Sequence, residues 1–177
     1  MHFRSRLSQR IGMNDIYEMV HLTHNSDQGK EELYKLLFDA DDMVAYQAAW
    51  VFCHFSPQDN EWLFARQDEL IDEVLICVHP GKRRLFLHLL FKQPLAHPPR
   101  IDFLDFCLGR MISKDELPGV QSLCMKLAYE LCRQIPELLG ELRSMLEIME
   151  PDILLPSMRT VRKNILKAMK SGKGLSK

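Results

Sequence analysis

Residues 80–91 read Pro80-Gly81-Lys82-Arg83-Arg84-Leu85-Phe86-Leu87-His88-Leu89-Leu90-Phe91, a stretch that opens on proline and then turns apolar nearly all round. Proline suits the first turn of a helix, where its missing N–H has no partner to lose. A helix with apolar residues on every side belongs in the middle of a stack of helices. The punctuation recurs: Pro80, Pro118 and Pro156 stand 38 residues apart, and one period earlier the position is Asp42, another good helix-start residue. The residues that follow keep step. Leu85 corresponds to Gln47, Leu123 and Val161; Leu89 to Val51, Leu127 and Ile165; Leu90 to Phe52, Ala128 and Leu166. Within each segment the spacing is i, i+4, i+5, which keeps these side chains on one helix face. The pattern predicts four equivalent helices over 43–55, 80–92, 118–133 and 156–170, called the second helices below.

Each of them is preceded by another apolar stripe at i, i+3, i+4, i+7. The stripes are Leu33, Leu36, Leu37, Ala40; Ile71, Val74, Leu75, Val78; Leu104, Cys107, Leu108, Met111; and Leu142, Met145, Leu146, Met149. These predict first helices near 28–39, 60–78, 99–112 and 136–149. Pro57, Pro94, Pro98, Pro99 and Pro136 punctuate the turns after second helices. Residues 14–23 predict one further, irregular helix, and no segment alternates as a strand does. A single helical pair cannot bury both its faces, so successive pairs must stack to build one core. The expected fold is all-α: a superhelix of about four helical hairpins with an extra N-terminal helix, one domain over 1–170 followed by a basic tail at 171–177. The last second helix carries Arg162 and Lys163 where the second carries Phe86 and Leu87, the wider polar face of a capping repeat.

The stretch Asp41-Asp42-Met43-Val44-Ala45-Tyr46-Gln47-Ala48-Ala49-Trp50 resembles the second helix of a HEAT repeat, with Asp42, Val44 and Ala48 at the family's Asp, Val and Ala positions. The Arg that such repeats often carry after the Val is Ala45 here, and the later repeats keep the proline and the apolar columns. The likeness in repeat form covers about 28–170. It implies a HEAT-like solenoid whose second helices line a concave side. The tetratricopeptide pattern, with its 34-residue period and Trp/Gly/Tyr signature, is not present.

Composition narrows the function classes. Five cysteines stand at 53, 77, 107, 124 and 132 with no CxxC spacing, and most lie in apolar helical patterns. They read as reduced, core-filling side chains of a cytoplasmic protein. No apolar run approaches the roughly 20 residues of a membrane span. The opening Met1-His2-Phe3-Arg4-Ser5-Arg6 is not followed by the apolar core of a secretory signal. Charge is unevenly laid out: three Arg and no acid in 1–10, seven Lys or Arg and no acid in 156–177, and 13 bases against 24 acids between. Gly-rich phosphate loop, GxSxG elbow and HExxH motif are all missing. His21 and His24 can share a helix face, but two ligands do not make a metal site. The sequence therefore offers no catalytic residue, no metal site and no cofactor site.

At 100° per residue, the positions opposite the buried face of each second helix form three rows. They are Tyr46, Arg84, Ser122, Thr160; Trp50, His88, Lys126, Asn164; and Cys53, Phe91, Tyr129, Lys167. Aromatic rings and bases on a wetted face are the residue types of binding hot spots. The candidate contact set is Tyr46, Trp50, Arg84, His88, Lys126, Tyr129, Asn164 and Lys167, on the concave face that the resemblance implies. The expected function is a non-catalytic scaffold engaging a protein or peptide partner there. The alternative is nucleic-acid binding, by likeness to the HEAT-like bacterial DNA glycosylases that act on alkylated bases. That reading lacks a catalytic carboxylate in the three rows, and the acidic middle of the chain opposes a DNA track.

Overall fold

The structure is a computed structural model that describes residues 3–175. Among these every regular element is helical. They form two compact units, divided between Gln93 and Pro94, where the repeat count alone predicts one domain over 1–170.

In the first unit, α1 (Phe3–Leu7) and α2 (Met13–Thr23) precede α3 (Asp27–Lys35), which runs into a 3-10 turn at Leu36–Phe38. Then come α4 (Asp42–Cys53), the short α5 (Pro57–Asn60), a 3-10 stretch at Glu61–Arg66, α6 (Gln67–Ile76) and α7 (Pro80–Phe91). The second unit holds α8 (Ile101–Met111), α9 (Pro118–Cys132), α10 (Pro136–Ile148), a 3-10 turn at Pro151–Ile153 and α11 (Pro156–Ser171). All four second helices begin at the residues that set the period: Asp42, Pro80, Pro118 and Pro156. The described residues thus make two hairpins in each unit, preceded by α1 and α2.

The columns are the core. Val51, Leu89, Leu127 and Ile165 are all buried, as are Phe52, Leu90 and Ala128. In the first unit α4 packs on α7, and α6 on α7. Tyr34 gathers Phe38, Phe52 and Trp62 edge-on around it, with ring centroids 5.3, 6.4 and 5.7 Å away. Arg66 lies over the Trp62 ring at 3.5 Å, a cation–π contact. In the second unit α8 packs along α9, which also receives α10 and α11. Of the sixteen residues of α11 only Met158 and Ile165 are buried, the wide polar face read from Arg162 and Lys163.

Two devices were not visible in the columns. The first is Gln47, the polar member of an otherwise apolar column. Its Nε2 donates to the carbonyls of Leu7 (2.5 Å) and Gln9 (2.7 Å), and its Oε1 accepts from Ile11 N–H (3.0 Å). It fastens the segment joining α1 to α2, where a leucine would leave those backbone groups without partners. The second is a ladder between the two first-helix layers of this unit. His24 bonds Asp59, Arg66 bonds Glu31 and Tyr34 donates to Glu69, each pair 35 residues apart. These partners stand 35 residues apart because they meet across an interface between neighbouring helices and do not occupy equivalent positions of the repeat. Lys30 joins the ladder's inner end, 2.8 Å from Asp59, with both side chains buried.

The residues read as a tail are partly built into the second unit. Gly172 ends α11 in the left-handed region, φ 67°, where a side chain costs about 1–2 kcal/mol. The segment then turns back on α9. Tyr129 Oη donates to Lys173 O (2.6 Å), and Leu175 N–H donates to Glu130 Oε1 (2.6 Å). Residues 176–177 lie outside the described residues.

Candidate functional site

In the first unit the outward positions fall on α4 and α7. Val44, Ala45, Ala48, Ala49, Val51 and Phe52 of α4 are fully buried, which leaves Tyr46 and Trp50 on the half-exposed side of the helix. The Tyr46 ring packs by the start of α7: it lies 6.1 Å from the His79 ring, and a Cβ on Gly81 would stand 3.2 Å from it. His79 caps α7 by accepting from Lys82 N–H at 3.1 Å. Trp50 meets His54 edge-on at 6.2 Å, and the Trp50 carbonyl is 2.9 Å from His54 Nδ1. His54 in turn meets Tyr17 of α2 at 6.3 Å, and Tyr17 is 60% exposed. The result is a three-ring surface patch, Tyr17–His54–Trp50. The sequence reading placed Trp50 there but not Tyr17 or His54. Tyr17 lies on the helix read as irregular, outside the 38-residue columns that defined the rows.

On α7, Arg84 is exposed and His88 half-buried. The neighbouring bases are used internally. Lys82 pairs with Glu73 at 2.8 Å and lies 3.7 Å from Asp42, and Arg83 Nε donates to the Cys77 carbonyl at 3.2 Å. The run Lys82-Arg83-Arg84 thus spends two of its charges inside the unit. Cys53 also turns inward. Its thiol, pushed up to about 12 by burial against the opposing charges of Lys92 and Arg84, stays protonated. A thiol held so high is a poor nucleophile.

In the second unit, Lys126 of α9 and Asn164 and Lys167 of α11 line one depression of about 410 Å³. Tyr129 does not join them. It is 0% exposed and its hydroxyl is bound to Lys173. The third row sits at the edge of the wetted face, and here the C-terminal segment folds over it; Phe91, in the same row of the first unit, is buried too. Tyr129 is therefore a core residue, not a contact residue. Replacing it with Phe should remove one hydrogen bond at a cost of about 1 kcal/mol. Amide exchange at residues 172–175 should speed up with it; unchanged exchange would show that the segment is held otherwise.

A second depression in this unit, about 480 Å³, was not anticipated. It lies between the two hairpin turns and is lined by Met111, Ile112, Met149, Ile153, Leu155 and Met158, with Lys114 and Glu116 beside them. The signal was present in Ile153 and Leu155, apolar residues in a turn with no core column to fill. Glu116 is buried there beside Arg110 at 3.4 Å. Among the described residues no group of three or more His, Cys, Asp or Glu is placed to hold a metal ion. None of the helices there is long and apolar enough to cross a membrane.

A family model described as a HEAT repeat domain matches residues 3–169, nearly the whole chain. The chain belongs to the HEAT repeat family. No curated protein and no solved structure matches it significantly. The match begins at α1, earlier than the likeness read from residue 28. Within this HEAT chain, Trp50 is neither core nor free. Trp50→Ala should cost about 1 kcal/mol, against the about 3–5 kcal/mol of a buried aromatic. Urea unfolding reads the difference, and a core-sized loss would remove Trp50 from the contact set.

Proposed function

We propose that this HEAT repeat protein is a non-catalytic scaffold that binds a protein or peptide partner on the outward faces of its second helices. The observation that carries the reading is the three-ring patch in the first unit. Tyr17, His54 and Trp50 are held edge to edge at 6.2–6.3 Å on a half-exposed surface, although α4 buries six other side chains completely. Large rings kept at the surface by fixed neighbours offer contact area at low ordering cost, and Trp, Tyr and Arg are the side chains that dominate partner recognition. Tyr46 shares the half-exposed side of α4 with Trp50, and Arg84 and His88 are outward residues of α7 that keep full and partial exposure. Lys126, Asn164 and Lys167 take the corresponding outward positions in the second unit.

The glycosylase-like alternative gains nothing from the sites. It calls for a carboxylate among the outward residues, and none of the residues lining the lysine-rich depression is acidic. The test is affinity capture from the cytosol of the source organism, with and without nuclease, using the wild type and a Trp50→Ala/Arg84→Ala variant shown to be folded. A protein captured despite nuclease and lost with the variant supports the scaffold reading. Capture abolished by nuclease would replace it with nucleic-acid binding.

A further inference from the structure

We infer that the lysine-lined depression between α9, α11 and the C-terminal segment is a binding site for a small phosphomonoester. Lys126 of α9, Lys167 of α11 and Lys173 of the segment contribute to its wall, and no lining residue is acidic. The three lysines thus come from three separate parts of the chain. Lys167 and Lys173 form no ion pair among the described residues. The backbone that carries Lys173 is fixed by the Tyr129 hydroxyl on its carbonyl, at 2.6 Å, and by the left-handed turn at Gly172. The third charge is therefore attached to an ordered wall and not to a loose tail.

The donors suit a compact anion with oxygens on several sides. An ammonium is a compact point charge with three donors that can approach a tetrahedral anion from any side, and lysine binds phosphate in this way. The site holds lysines and no arginine. Arg159 and Arg162 of α11 are engaged elsewhere, on the carbonyls of Leu154 (3.3 Å) and Leu146 (2.6 Å). Asn164 and Ser171 add polar groups to the wall, and Val161 and Leu175 give it an apolar side for the carbon part of a ligand. Its volume of about 410 Å³ is that of a small-molecule site. The proposal does not rest on the partner-binding reading of the first unit, so failure of one leaves the other standing.

Amide NMR on the full chain tests it, with inorganic phosphate and phenyl phosphate as probes at about 150 mM salt, where diffuse attraction is screened. Both should give saturable shifts at Ser171–Leu175. Lys167→Gln/Lys173→Gln should weaken binding by about tenfold or more. Lys163→Gln/Lys170→Gln removes equal charge from the same helix outside the depression, and should change it by less than about twofold. Phenyl phosphate binding more tightly than phosphate would mark the phosphoryl end of a larger metabolite as ligand; equal binding would mark free phosphate. The proposal is overturned if neither probe saturates or if the two variants weaken binding alike. It is equally overturned if a short single-stranded oligonucleotide or a glutamate-rich peptide binds these residues more tightly than both probes.

Discussion

Asp59→Ala is expected to destabilise the chain by about 3–5 kcal/mol, the cost of leaving a buried charge without its partner. Asp59 is buried between the first-helix layers, 2.8 Å from the equally buried Lys30, with His24 Nδ1 at 2.9 Å and the Ser56 hydroxyl donating at 2.8 Å. Removing the carboxylate strands Lys30 and cuts the ladder joining α2 and α3 to α5. The double change Lys30→Met/Asp59→Leu should recover most of the loss, because a packed apolar pair avoids the desolvation of both charges. Urea unfolding of the three proteins measures this. A single variant within about 1 kcal/mol of wild type would show that solvent reaches Lys30.

The same cluster gives the chain an acid limit. Burial by itself pushes the Asp59 carboxyl up, but hydrogen bonds from Lys30, His24 and Ser56 more than offset it and hold the group at about 2, below its ordinary 3.8. Because the folded value lies below the unfolded one, the stabilisation is fully present above about pH 4 and is lost as pH falls towards 2. The difference corresponds to about 2 kcal/mol. Between pH 5 and pH 2.5 the wild type should therefore lose more stability than Asp59→Ala does.

Gln47→Leu is the second large effect, and it sets the columns against the structure. By the 38-residue alignment leucine is the natural occupant, as at Leu85 and Leu123. By the hydrogen bonds it is the wrong one. The change leaves the Leu7 and Gln9 carbonyls and the Ile11 N–H without their partner. At about 1–3 kcal/mol for each buried polar group left unpaired, a loss of about 3 kcal/mol is expected. Faster amide exchange should appear first at Ile11 and in α1. A neutral or stabilising Gln47→Leu would mean that the column alone describes this position.

The contrast shows what a repeat makes legible. The second helices could be read because proline at N1 marks a start and leaves a signal at the same register each time. Their buried columns followed from helical spacing. What breaks the repeat was hidden. Helix α1 is five residues long, too short for a periodic signal, and is held by Gln47, whose polarity looked like a blemish in its column. The ladder pairs His24 with Asp59, Glu31 with Arg66 and Tyr34 with Glu69, each 35 residues apart, so an alignment at 38 places none of these partners side by side. Among the candidate contacts, Trp50, Arg84, His88, Asn164 and Lys167 keep some or full exposure, because one helix decides which way they face. Tyr129 lost its exposure to Lys173, 44 residues on, and no local pattern reports a contact at that distance. Tyr17 and His54 were missed for the same reason, since only tertiary packing brings α2 to the end of α4.

The measurement that bears most directly on the scaffold reading is site-specific photo-crosslinking in cells of the source organism. The photoreactive residue is placed at position 50 or 84 on the second helices, or at position 32, an exposed site on the first helix α3, as the control. The account predicts a discrete protein adduct from 50 and 84 that is absent from 32. Adducts from position 32 alone, or none from positions 50 and 84 while the folded protein is present, would contradict it.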